Sequence, residues 1–167
     1  MKWGDELTPE QLPADDTPIL FRFEPQVINQ LRLRLQPGSE APRLAVLYAG
    51  KLLVFEQGVQ GDYTPLPFGR ISNVVSGVSE GGEFLGRIIT GAGSASDAVF
   101  ANLTKEWVRE QLDPFLAISH ERPFFFAWSP TDYPEEVGYA WLDNNAQPAF
   151  NIHGYAAVQL NMTGIVA

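Results

Sequence analysis

"RPFFFAWSPTDYPEEVGYAWL", Arg122–Leu142, places Phe124, Phe125, Phe126 and Trp128 almost in a row, breaks at Pro130 and Pro134, and resumes with Tyr139 and Trp141. Successive side chains of a strand point to opposite faces. Phe124, Phe126 and Trp128 therefore share one face, while Phe125 takes the other with Ala127. Asp132 and the two prolines form a turn, across which the strand carrying Tyr139 and Trp141 pairs with the first. A strand with aromatics on both faces is buried on both, or is covered by a partner on one. Packing is the favoured reading, because a short connection holds such a hairpin closed. The competing reading makes Trp128, Tyr139 and Trp141 contact or glycan-stacking aromatics, which requires them to be exposed.

Working outward, period-two patterning recurs. In "NQLRLRLQPG" Leu31, Leu33 and Leu35 alternate with Arg32 and Arg34, a half-buried strand closed by Pro37-Gly38. "ILFRFEP" before it has the same character, and "RLAVLYAGKLLVFEQG" after it reads as two strands turning at Ala49-Gly50. The prolines of "GDYTPLPFG" mark a loop and boundary near 60–68. "RISNVVSGVSEGGEFLGRIIT" predicts a hairpin turning at Glu80-Gly81-Gly82, and "GAGSASD", 91–97, a small-residue linker. "LTKEWVREQLDPFL" is the one persuasive helix, about 103–117, with Thr104 as N-cap and Glu106 in its first turn. Asp113-Pro114 should end or distort it. After the aromatic hairpin come a loop, "DNNAQPAFNIHG", and a last strand, "YAAVQLNMTGIV". The chain divides into an extended N-terminal arm (1–18), a small antiparallel β region (19–67), and a larger β region with one helix (68–167). The class is mainly β with one α-helix.

Composition narrows the functions. The chain has 167 residues, 45% hydrophobic and 19% charged, which is globular and not disordered. A net charge of −9 argues against specific nucleic-acid binding, which needs clustered Lys and Arg, and against docking to anionic membranes. No apolar run is long enough for a membrane helix, and no signal-peptide pattern opens the chain. With no cysteine there is neither a disulfide framework nor a thiolate metal site.

Gly77-Val78-Ser79-Glu80-Gly81 matches G-x-S-x-G, but a nucleophile elbow needs a strand-to-helix turn, and a strand follows here. "GAGSAS" lacks the lysine and serine that end a phosphate-binding loop. His120 and His153 lack partners at metal-ligand spacing. Asp132, Glu135, Glu136 and Asp143 surround the aromatic hairpin, yet no calcium-loop pattern joins them, and a turn with solvated acids is the simpler reading. No catalytic, metal or cofactor residue is assigned, and the chain reads as a non-enzyme.

The "LRLRL…APRLAVLYAGKLLVF" strands, "SGVSEGGEFLGRII", the "LTKEWVREQLDPF" helix and the aromatic hairpin together resemble tailed-bacteriophage tail-tip structural proteins, over about 19–165. The resemblance implies a virion structural component, a distal tail protein or tail-tube-like ring component, assembled in the host cytoplasm. It implies a ring homo-oligomer that links the tail tube to the host-recognition apparatus, with itself and other tail proteins as partners. It also implies a tube-like β-sandwich with a helix at 68–167, preceded by a smaller jelly-roll-like β region whose leading strands are missing. A full jelly roll needs about eight strands. The alternative function is a carbohydrate-binding module for host glycans. An acidic ring would also let DNA pass without sticking.

Overall fold

The computed structural model describes residues 18, 20–23, 26–35, 44–143 and 145–165. The expected arm, apart from Pro18, and the Pro37-Gly38 turn lie outside the described residues.

Among the described residues the fold is mainly β with one long helix: a curled antiparallel sheet faced by that helix. The strands are β1 (Arg70–Val78), β2 (Phe84–Thr104), β3 (Phe124–Ala127), β4 (Val137–Leu142), β5 (Ala149–Phe150) and β6 (Tyr155–Ile165). Their order is β1-β2-β6-β4-β3, with β5 also pairing β6. The helix α1 runs through an α turn, Lys105–Trp107, a π-helical stretch, Val108–Leu112, and an α segment, Asp113–Ser119.

Strict alternation builds the core. Ala156, Val158, Leu160 and Met162 of β6 are buried, as are Ala98 and Phe100 of β2 and Ala140 and Leu142 of β4. Val108, Leu112 and Leu116 of α1 close over them. A register shift between Phe100 and Leu103, with Asn102 at φ 57°, turns Leu103 into this core. Asparagine tolerates that left-handed backbone better than most residues.

Thr104 caps α1 as expected, its hydroxyl accepting from the Trp107 N–H at 3.3 Å. The Glu56 carboxylate also accepts from the Thr104 N–H at 2.7 Å and its hydroxyl at 2.9 Å. Pro114 distorts the helix without ending it. Proline has no N–H to donate, and the turn before it is widened so that the Asp113 N–H reaches the Val108 carbonyl.

Two stretches differ from their sequence reading. Residues 20–23, 29–35 and 44–57, patterned as strands, join no ladder among the described residues. Alternation creates an apolar face, but a strand also needs a neighbour to pair with. Part of that face is used otherwise: Leu53, Phe55 and Val59 pack against the core, with the Phe55 and Phe100 rings stacked at 3.7 Å. The second difference is "GAGSASD", which lies inside β2 and is not a linker. Small residues are needed there because 64–69 crosses close above: Ser96 Oγ donates to the Thr64 carbonyl at 2.5 Å, and Ser94 Oγ donates to the Leu66 carbonyl. The 60–68 stretch, expected as a boundary loop, is thus bound to the sheet, with a bridge from Gln60 to Val99 and Leu66 buried.

Candidate assembly interface

The aromatic hairpin forms as the alternation requires. Phe124 pairs with Ala140, Phe125 with Tyr139 and Phe126 with Gly138. Phe126 is buried in the core, and the Phe124 ring meets Phe115 of α1 edge-on at 5.1 Å. Phe125 faces the other way, 4.9 Å from Tyr139 and 5.7 Å from Tyr48. A hydrogen bond with the Tyr48 hydroxyl is the main cause holding the Tyr139 phenol above its usual pKa.

The three candidate stacking aromatics are separated by this geometry. Trp128 is walled in by Tyr63 at 5.7 Å and Tyr133 at 5.4 Å, and its indole N–H donates to Glu136. Burial pushes the neighbouring Tyr63 phenol up to about 12; a hydrogen bond with Ser96 lowers it and the Glu136 charge raises it. Tyr139 and Trp141 lie on the opposite face, and Trp141 is 38% exposed. Of the surrounding acids, Asp132 accepts from the Ser129 hydroxyl and Asp143 from the Thr163 hydroxyl, each at 2.8 Å. Among the described residues no group of three or more histidines and carboxylates gathers as a metal site. Ser79 of the G-x-S-x-G match sits in the β1–β2 hairpin turn, where its N–H donates to the Glu83 carbonyl and its hydroxyl accepts from the Glu83 N–H.

That hairpin is the unusual part of the molecule. β2 pairs with β6 only from Ser94 onward, whereas β1 pairs with β2 from Ser94 back to Phe84. Among the described residues, Phe84–Gly93 and β1 therefore project from the sheet as a two-stranded arm. Val74, Val78, Phe84 and Ile89 continue the core-facing side, and Ile71, Val75 and Ile88 lie on the other. Phe84 is 67% exposed, Ile88 68% and Val75 60%. A lone two-stranded ribbon is marginally stable in water, and this one is apolar on both faces. It is also electrically neutral, Arg70 and Arg87 balancing Glu80 and Glu83, in a chain of net charge −9.

Among the described residues the sheet order leaves β1 and β3 as the ends of the main path. β3 is four residues long, preceded by Pro123 and followed by the proline-bearing turn, the usual ways of blunting an edge. β1 is nine residues long, with no proline, lysine or carboxylate to discourage pairing. Sequence reasoning found the hairpin but not its isolation. The available signal was apolar residues at both parities, Val74 with Val75 and Ile88 with Ile89, beside glycines and away from any helix.

Comparison with protein-family models, curated proteins and solved structures finds no match to this chain.

Proposed function

We propose that the chain is a structural subunit that assembles with copies of itself into a ring, as a virion component of a bacteriophage tail tip or baseplate linking tail tube to host-recognition apparatus. The observation that carries self-assembly is the β1–β2 arm, with apolar side chains on both faces and one unprotected edge. An apolar surface of this kind in a folded protein asks for a partner. The tail-tip setting rests on the resemblance of the quoted stretches. The acidic net charge suits a ring through which DNA passes, because like charge keeps the polymer from adhering. The role requires no catalytic step and no cofactor.

Electron microscopy of the concentrated protein tests this reading. Closed rings are expected, and Ile88→Lys should abolish them while leaving the circular dichroism spectrum unchanged. Rings that persist in Ile88→Lys would remove the arm from the contact, and dispersed monomers in the wild type would remove the ring.

A second reading, attachment to host glycans, is favoured at one place only. Trp141 stands partly exposed on the face opposite the core, across the ladder from Thr163, which donates to Asp143. An aromatic face flanked by polar groups suits a sugar ring.

A further inference from the structure

Among the described residues, the molecule carries a sheet edge with no strand beside it and a strand pattern that joins no sheet. The edge is β1. The pattern is Leu31–Leu35, whose three leucines are 43–47% exposed and which joins no ladder among the described residues. The chain on either side of that segment is fastened near β3. Arg22 Nη2 donates to the Pro130 carbonyl and to Thr131 Oγ1, each at 3.2 Å, in the turn between β3 and β4. Tyr48 stacks 6.4 Å from Tyr139 of β4 and lies against Phe125 of β3. β1 is four strands away from β3, about 19 Å measured along the curled sheet at the usual inter-strand spacing.

We infer that the Leu31–Leu35 segment of one copy adds as a strand to the β1 edge of the next copy. This rests on the ring reading and names its contact. Backbone hydrogen bonding along an exposed edge supplies affinity, and alternating side chains supply register. The leucine face of the donor continues the apolar side formed by Val74 and Val78, which ends at β1 among the described residues. Arg32 and Arg34 make the donor basic within an acidic chain, and the arm is neutral, Glu80 and Glu83 at its turn offsetting Arg70 and Arg87, so this contact avoids the repulsion between the acidic bodies of two copies. Because donor and acceptor are different surfaces, the contact is head-to-tail, the type that gives a ring when its rotation closes and a filament when it does not.

The absence of native cysteine makes disulfide trapping clean. Leu33→Cys is mixed with Ser72→Cys, Val74→Cys or Ser76→Cys under mild oxidation, after mass photometry has verified that each single variant assembles as the wild type does. A covalent heterodimer with at least one of the three is expected, and none with Ile152→Cys, a control at a 92% exposed site. Combining Leu33→Cys with the productive β1 cysteine in one chain should give a ladder of covalent oligomers. Intact assemblies without cross-links, cross-links between β1 cysteines alone, or closure within single chains would each overturn the strand exchange and leave the ring standing. A wild type that is monomeric at every concentration would remove both.

Discussion

Leu66 occupies the space a side chain at residue 138 would need. A β-carbon placed on Gly138 would lie 2.7 Å from Leu66 Cβ, and one on Gly164 would lie 3.3 Å from Leu66 Cδ2. With Ser94 donating to the Leu66 carbonyl, three strands form a socket for one leucine of the crossing segment. Gly138→Ala should therefore destabilise the protein by about 1–3 kcal/mol, the usual range for overpacking. Leu66→Ala should cost about 2–5 kcal/mol through the cavity it leaves. In the double variant the losses should add only in part, since alanine at 66 removes the Cγ and Cδ atoms that crowd residue 138 but keeps the Cβ at 2.7 Å. Urea unfolding of the four proteins measures all three quantities.

The two faces of β3 predict an asymmetry. Phe126→Ala empties a core site and should cost about 3–5 kcal/mol. Phe125→Ala removes only the ring beside Tyr139 and Tyr48, about 0.5–1.5 kcal/mol beyond its smaller area burial. Equal losses in thermal or urea unfolding would contradict the placement of these neighbours on opposite faces.

Both the pairing and the facing of this hairpin were legible in sequence, because alternation at Phe124, Phe126 and Trp128 leaves one solution once the turn prolines are placed. The helix was legible for a similar reason, a cap and an apolar stripe acting locally. The leucines at 31, 33 and 35 alternate just as well, yet form no ladder among the described residues. Alternation specifies a face and not a partner, and a partner is decided by distant chain or by another molecule. "GAGSASD" failed for the opposite reason: its small residues fit a close crossing by 64–69, which no local pattern announces.

Trp128 and Trp141 should separate structure from recognition. Trp128→Ala opens the packing against Tyr63 and Tyr133, and should cost about 2–4 kcal/mol. Trp141→Ala should lower the melting temperature less than Trp128→Ala does, because its ring is partly exposed on the face away from the core. If glycan arrays detect a ligand, Trp141→Ala should abolish the signal; a signal that survives it would exclude the stacking site.

Alkaline pH supplies a further test. The Tyr63 phenol is pushed from 10.0 to about 12 on folding, so the unfolded chain loses this proton first. Stability should fall as pH rises from 10 toward 12, and be unaffected by this group below 10. Tyr63→Phe should remove that part of the decline, seen by comparing urea midpoints of the two proteins across this interval. An unchanged slope would contradict the burial of the phenol.

Self-assembly through the arm is the central claim, and mass photometry of the wild-type protein across a dilution series tests it most directly. The account predicts one discrete species whose mass is a fixed multiple of the 18.5 kDa chain, reduced to monomer by Ile88→Lys. A wild type that remains at the mass of a single chain at every concentration would contradict it.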